Sequence, residues 1–403
     1  MNLELRRLLI LALAIPPALG HLYHFILAIN VASGRGFAER TMDWLRDSLF
    51  LLLLVTSAVL LTMHIRDPWW SWRWPMGGYA IFCVISGMLI WPISSWRILS
   101  RPRPAGIEGF SRITELAGAD EIHTLIGTGR RASLLRLPRN QAFQLQRCEW
   151  VISVPDLPPA LEGLRISQIT DLHFAPCFER AYFERVIEAA RDWETDVIVL
   201  TGDVVDHDDA ISWIGPVLGR LEGRIGKFAI LGNHDTAHDP EAILESLERA
   251  GYETLEGRWT TIDVNGTRLA IGGTSAPWGP LFDPNAIPEA EFRLLLSHCP
   301  DLFYKAKGWG IDLMLSGHNH GGQIRVPLLG PIFMPSRYSR RFDRGFFREG
   351  STLMYVSEGV AGKHPVRYGC PPEITQFVLR AAKSNVPHNQ RRGASSLHES
   401  TSA

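Results

Sequence analysis

The chain has 403 residues, enough for more than one domain, with 46% hydrophobic and 21% charged residues and a formal net charge of -1. That balance gives no global electrostatic case for a nucleic-acid partner. The five cysteines (Cys83, Cys148, Cys177, Cys299, Cys370) are scattered and lack C-x-x-C spacing, so neither a disulfide framework nor a zinc ribbon is indicated.

Three apolar runs open the chain, over 8–31, 48–65 and 77–96. The second and third each hold roughly 18–20 residues without a charge, the length that crosses a hydrocarbon core of about 30 Å. Trp69, Trp70, Trp72 and Trp74 lie between them, and Trp91 and Trp96 close the third, in the manner of an interfacial aromatic belt. The first run has two readings. Arg6-Arg7 ahead of Ala12-Leu13-Ala14 fits a cleaved signal peptide. Its apolar continuation past Pro16-Pro17 fits a kinked span, the reading preferred here. With three spans, Arg6, Arg7, Arg66 and Arg73 share one side. Arg35, Arg40, Arg46, Arg97, Arg101, Arg103 and Arg112 share the other. The richer side carries the rest of the chain and is expected in the cytoplasm of a bacterial-type inner membrane.

Residues 1–100 are therefore expected to form a membrane anchor of about three transmembrane helices, and residues 101–147 a basic connector. The connector arginines (Arg101, Arg103, Arg130, Arg131, Arg136, Arg139, Arg147) fit a solvated linker or a surface against anionic headgroups. They lack interleaved aromatic residues, so no nucleic acid is expected there. Residues 148–382 read as the folded domain, and 383–403 as a disordered polar tail. Within the domain short apolar runs alternate with helical periodicity. Strands are expected at 165–170, 197–200, 228–231, 294–296, 311–315, 353–356 and 374–379, and helices at 181–193, 214–221 and 240–250. Asn265-Gly266 between apolar runs marks a hairpin.

Asp171, Asp203, Asn233, His298 and His318 each follow one of these strand runs within three residues. In α/β sheets, ligands bind beyond the carboxyl ends of the strands, so separate strands would bring these side chains to one rim. Each alone fits an ordinary turn former. So many metal-capable residues at so many strand ends is not the expectation of chance.

The ordered blocks Asp171-Leu172-His173, Gly202-Asp203, Gly232-Asn233-His234-Asp235, Ser297-His298 and Gly317-His318-Asn319-His320 resemble those of the calcineurin-like metallophosphoesterases. The resemblance covers about 165–379. It is strongest to the membrane-anchored bacterial branch, through His318 to Gln323, Pro365-Val366-Arg367 and Pro371-Pro372-Glu373-Ile374. It implies an α/β fold, the metallophosphoesterase αββα sandwich of two mixed β-sheets flanked by helices, here preceded by N-terminal transmembrane helices. It also implies two divalent metal ions, Mn, Fe or Zn. Asp171, His173 and His320 would hold one, Asn233, His298 and His318 the other, and Asp203 would bridge them. A metal-bridging hydroxide would attack the phosphoester. His234 would neutralise phosphoryl charge or protonate the leaving group, with Asp235 orienting its ring. Asn319 and Arg367 are candidate substrate contacts.

The expected function is a dimetal-dependent phosphoester hydrolase acting on a membrane-associated phosphodiester or diphosphate, with UDP-2,3-diacylglucosamine of lipid A synthesis as the specific candidate. The alternatives are a broad phosphodiesterase or phosphatase on other lipid or nucleotide phosphoesters, and a non-catalytic metal-binding scaffold. The expected partners are the lipid-linked substrate and the membrane, with no protein partner.

Overall fold

The computed structural model describes residues 3–67, 76–129 and 131–382. The Trp69–Trp74 cluster and the tail expected at 383–403 lie outside the described residues. Helix α1 (Leu3–Ser33) runs through Pro16 and Pro17 without interruption. It is followed by α2 (Glu39–Arg66) and α3 (Met76–Ile85). A π-helical turn, Ser86–Ile90, joins α3 to α4 (Trp91–Leu99). Among the described residues, three segments of 22, 27 and 24 residues are long and apolar enough to cross a membrane. Leu51, Leu54, Val59 and Ile65 on α2, and Ile81, Phe82, Met88 and Leu89 on the third segment, point outward, a surface suited to lipid rather than water. Between α1 and the third segment, small residues set the spacing. A Cβ on Gly20 would fall 1.8 Å from the Cys83 carbonyl oxygen, so only glycine admits this approach. The polar side chains inside the bundle are mutually satisfied: His21 bonds Tyr79 Oη (2.5 Å) and Thr56 Oγ1 (3.0 Å), and His24 bonds Ser86 Oγ (2.9 Å).

The rest of the chain runs β1 (Ile107–Glu115), β2 (Gln144–Val154), β3 (Arg165–Ile169), α5 (Arg180–Arg191), β4 (Val197–Thr201), α6 (Ile214–Leu218), β5 (Gly226–Ile230), α7 (Pro240–Arg249), β6 (Glu253–Thr254), β7 (Trp259–Val264), β8 (Thr267–Thr274), β9 (Phe292–Ser297), α8 (Phe303–Gly308), β10 (Leu313–Ser316), β11 (Arg325–Val326), β12 (Gly330–Pro331), β13 (Gly345–Glu349), β14 (Thr352–Val356) and β15 (Glu373–Ala381). Among the described residues, one sheet has the order β1-β2-β15-β3-β4-β5-β6 and a second the order β13-β14-β10-β9-β8-β7. Both are mixed: β3, β4 and β5 run parallel, as do β8, β9, β10 and β14, while β1 and β13 pair antiparallel at the edges.

Alternation along the strands builds the layers. Val197 and Val199 face the interior between the sheets, with Leu294, Leu296, Leu313 and Leu315 opposite. Ile198 and Leu200 face the other way, onto Phe183, Val186, Ile187, Ile214 and Leu247 of α5, α6 and α7. Leu295, Met314 and Met354 pack on Phe303 and Ala306 of α8. The result is the expected αββα sandwich.

The stretch expected to be a connector is partly sheet. β1 pairs with β2 through nine residues in register, from Ile107↔Ile152 to Glu115↔Gln144. It is an edge strand with seven exposed residues between and beyond its buried Ile107, so it lacks the alternation that marks a half-buried strand.

The anchor is docked on this sandwich by the ends of its helices. Asn30 of α1 donates to Ile332 O (3.0 Å) and accepts from Met334 N (2.9 Å). Asp43 of α2 faces Lys363 at 3.3 Å, and Arg101, just past α4, meets Asp343 at 2.8 Å. Arg35, Arg40, Arg97 and Arg103 therefore sit on the side of the bundle that carries the sandwich.

Candidate metal centre

The carboxyl ends of β3, β4, β5, β9 and β10 meet at one rim. Past the strands the loops continue side by side: Asp171 N donates to Gly202 O (2.9 Å), His173 N to Asp203 O (2.9 Å) and Phe174 N to Val204 O (2.8 Å). The turns are tight enough that five rim residues take left-handed backbone: Asp171 (φ 55°), His173 (48°), Asp203 (53°), His318 (68°) and His320 (47°). Each such residue costs on the order of 1–3 kcal/mol, a cost that clusters where geometry serves function. The glycine before Asn233 has a different task. A Cβ on Gly232 would lie 2.0 Å from Asp203 Oδ1, so the β5 loop can press against the β4 carboxylate only without one.

Seven side chains converge there. One oxygen or nitrogen from each of Asp171, His173, Asp203 and His320 lies within 4.8 Å of the others, and the same holds for Asp203, His298 and His318. Asp203 belongs to both groups. Its Oδ2 is 3.6 Å from His173 Nε2 and 3.2 Å from His298 Nε2. Asp171 Oδ1 is 3.3 Å from His320 Nε2, and Asn233 Oδ1 is 3.2 Å from His298 Nε2. His173 Nε2 and His320 Nε2 face each other at 3.2 Å.

The outer nitrogen of each ring explains this convergence. His298 Nδ1 donates to Thr201 O (2.7 Å), His320 Nδ1 to Ala361 O (3.0 Å) and His318 Nε2 to Pro335 O (2.8 Å). His173 Nδ1 lies 3.0 Å from Asp206 Oδ1. A carbonyl can only accept, so the outer nitrogen carries a proton and the inner nitrogen is aimed at the cluster. Metal-binding histidines are oriented in this way. The donors are oxygen and imidazole nitrogen without thiolate, and they fit a pair of divalent cations better than they fit one another. Burial would lower the His298 imidazole, but Asp203 outweighs it and lifts it to about 9. Burial lowers His318 to about 3, leaving it neutral. Burial would raise the Asp203 carboxyl, but His298 and His234 hold it well below the usual range.

His234 sits at the edge of the cluster. Its ring meets His173 edge-on at 4.7 Å, and its Nδ1 is 2.6 Å from Asp206 Oδ1. Asp206 is the carboxylate that orients it. The sequence gave that orienting role to Asp235, and this expectation is corrected. The Asp235 carboxylate is fully buried and accepts from the backbone N–H groups of Gly232 (2.8 Å), Val204 (2.9 Å) and Val205 (2.9 Å). It ties the β4 loop to the β5 loop.

Two further expectations are corrected. Arg367 is 1% exposed and donates to the carbonyls of Glu358 (2.7 Å), Gly359 (3.2 Å) and Ala361. It braces the loop whose Ala361 carbonyl holds His320, and it cannot reach a substrate phosphate. Asn319 is also 1% exposed, with Nδ2 donating to Phe342 O at 2.6 Å. One further residue beside the cluster was given no role from the sequence. Trp278 lies against His318 with ring centroids 4.8 Å apart and the planes tilted by 52°.

Residues 164–322 match the family described as calcineurin-like phosphoesterase. YkuE, a metallophosphoesterase of Bacillus subtilis, is 32% identical over 254 residues, which cover 60% of this chain and 87% of that protein. The phosphodiesterase YaeI of Escherichia coli is 32% identical over 221 residues, 53% of this chain and 82% of its own. The UDP-2,3-diacylglucosamine pyrophosphatase LpxG of Chlamydia muridarum is 26% identical over 292 residues, 58% of this chain and 88% of its own.

Proposed function

Because the chain belongs to the calcineurin-like metallophosphoesterases, we propose that its rim cluster is a dimetal centre for hydrolysis of a lipid-linked phosphodiester or diphosphate. Asp171, His173 and His320 would hold one cation and Asn233, His298 and His318 the other, with Asp203 placed to serve both. The observation that carries this reading is the orientation of four imidazoles, each fixed from outside with its free nitrogen turned inward. The donor set suits Mn, Fe or Zn. When bound, two such cations supply Lewis-acid polarisation of the phosphoryl group and a water acidified toward neutral pH.

The chain's own groups do the rest. Asp206 keeps the His234 proton on Nδ1 in the neutral ring, so Nε2 is the atom presented outward. There it stabilises phosphoryl charge and, when protonated, delivers a proton to the leaving oxygen. Asp235 locks the two loops that carry Asp203 and Asn233. Trp278 packs against the His318 ring at the edge of the cluster.

The lipid-linked substrate is supported by the three membrane-crossing segments and by the likeness to LpxG. Tethering confines enzyme and substrate to one surface and raises their effective concentration. The cytoplasmic face of a bacterial inner membrane is supported by the arginines on the sandwich side of the bundle. The test uses full-length protein in detergent with manganese and UDP-2,3-diacylglucosamine, beside Asp203→Ala. Release of UMP and lipid monophosphate by the natural sequence alone is expected. Cleavage of bis(p-nitrophenyl) phosphate without that release would discard this substrate. It would favour another phosphodiester, in keeping with the likeness to YaeI.

A further inference from the structure

Between His320 and β13 the chain leaves the sandwich and returns to the anchor. The β11–β12 hairpin turns at Leu328, and Leu328 is anomalous in water. It is 86% exposed and in left-handed backbone (φ 66°), so both its side chain and its conformation favour Gly or Asn instead. Phe333 and Ile324 beside it are 56% and 46% exposed. The hairpin lies on the last turn of α4: a Cβ on Gly330 would be 3.8 Å from both Ile98 Cγ2 and Leu99 Cδ2.

Its place is fixed by a buried cation. Arg340, 4% exposed, donates to the hairpin carbonyls of Leu329 (2.9 Å) and Pro331 (3.3 Å). The same guanidinium donates to Ser95 Oγ (3.2 Å) and Ser94 Oγ (2.9 Å) of α4. Asn30 of α1 holds Ile332 O and Met334 N from the other side. The segment is therefore clamped level with the ends of two spans. Trp44 and Trp96, each 71% exposed, mark that level as the membrane–water boundary.

We infer that residues 324–338 form a membrane-inserting strap, with Leu328, Phe333 and Ile324 entering the interfacial layer of the bilayer that holds the anchor. The occupant of this apolar surface is lipid, because the surface continues the lipid-facing side of α4 through Leu99. The strap includes Pro335, whose carbonyl holds His318 Nε2 (2.8 Å). The rim cluster is thereby fixed at the height of the headgroups, where a lipid-linked phosphate lies. This last consequence rests on the substrate class proposed above, whereas the insertion itself does not.

The test separates the two. A Leu328→Cys variant of the full-length protein, labelled with an environment-sensitive fluorophore, is placed in nanodiscs of phosphatidylglycerol and phosphatidylethanolamine carrying nitroxide lipids. The natural cysteines are buried, which favours labelling at the new position. Asn265→Cys, at the opposite pole of the sheets, serves as comparison. Insertion predicts a blue shift and about twofold or greater quenching by shallow nitroxides at 328 and neither at 265. Quenching at 328 equal to that at 265 would overturn the strap. So would a shielded probe that lipid nitroxides do not reach, since another protein surface would then cover it. A Leu328→Glu/Phe333→Glu variant should lose about tenfold on the bilayer-embedded substrate while cleavage of soluble bis(p-nitrophenyl) phosphate stays within about twofold. If the natural sequence fails on the lipid substrate, the proposed substrate falls and the depth measurement still decides the strap.

Discussion

Replacing Asp206 by Asn isolates the group that the geometry singles out beside His234. The carboxylate oxygen is 2.6 Å from His234 Nδ1 and 3.0 Å from His173 Nδ1, with the side chain 9% exposed. Asn keeps the shape and removes the charge. Opposite charges whose centres are about 4 Å apart interact by about 4 kcal/mol at an effective dielectric of about 20. His234 is 15% exposed, so part of that is screened, and half of it, about 2 kcal/mol, is a conservative share. Loss of about 2–4 kcal/mol from a step that needs a proton-carrying ring slows turnover between about 30-fold and 10³-fold. The assay is steady-state cleavage of bis(p-nitrophenyl) phosphate in detergent with saturating manganese, with metal content measured on the same samples. The expected result is a fall in kcat with both metal equivalents retained. A kcat within about threefold of the natural protein at full metal occupancy would refute the pairing of Asp206 with His234 as a functional unit.

Three other outcomes follow from the same geometry. Asp235→Ala strands three buried backbone donors, each worth about 1–3 kcal/mol. The thermal midpoint should drop sharply, and an unchanged midpoint would contradict its role as a loop tie. Arg367→Met should also lower stability, by about 2–4 kcal/mol through lost charge-assisted bonds to carbonyls. In the folded fraction KM should stay within about twofold, since the guanidinium is buried; a large rise in KM alone would restore it as a substrate contact. Cation binding to the metal-free protein should strengthen with pH. His298 holds a proton below about 9 and must release it to bind, so affinity should rise by up to about tenfold per pH unit toward 9 and then level. Calorimetric titration with manganese at several pH values measures this, and a pH-independent Kd would contradict it.

The candidate site was legible because each metal-capable residue follows an apolar run that can only be a buried strand. The loops after β3, β4, β5, β9 and β10 had to meet once those strands lay in facing sheets. What sequence missed has a common physical cause. Asp235, Arg367 and Asn319 bond main-chain groups, and the sequence does not show which backbone N–H or carbonyl will lie opposite a side chain. Asp206 was hidden among Asp208 and Asp209, which are exposed. Its burial arises because Phe174 pairs with Val205, carrying the β4 loop onward beside His173. Its place three residues past Asp203, on the same loop, was the available signal. β1 was missed because an exposed edge strand has no alternation to read. The strap was passed over because short strands of two residues carry no period at all.

The most direct test of the dimetal reading is the metal content of the purified full-length protein beside Asp203→Ala, by inductively coupled plasma mass spectrometry after loading and desalting. Asp203 belongs to both groups of converging donors, so its removal should weaken both sites at once. About two equivalents in the natural chain and fewer than about one in the variant are predicted. A single equivalent in the natural chain, or two retained in the variant, would contradict a centre built around Asp203.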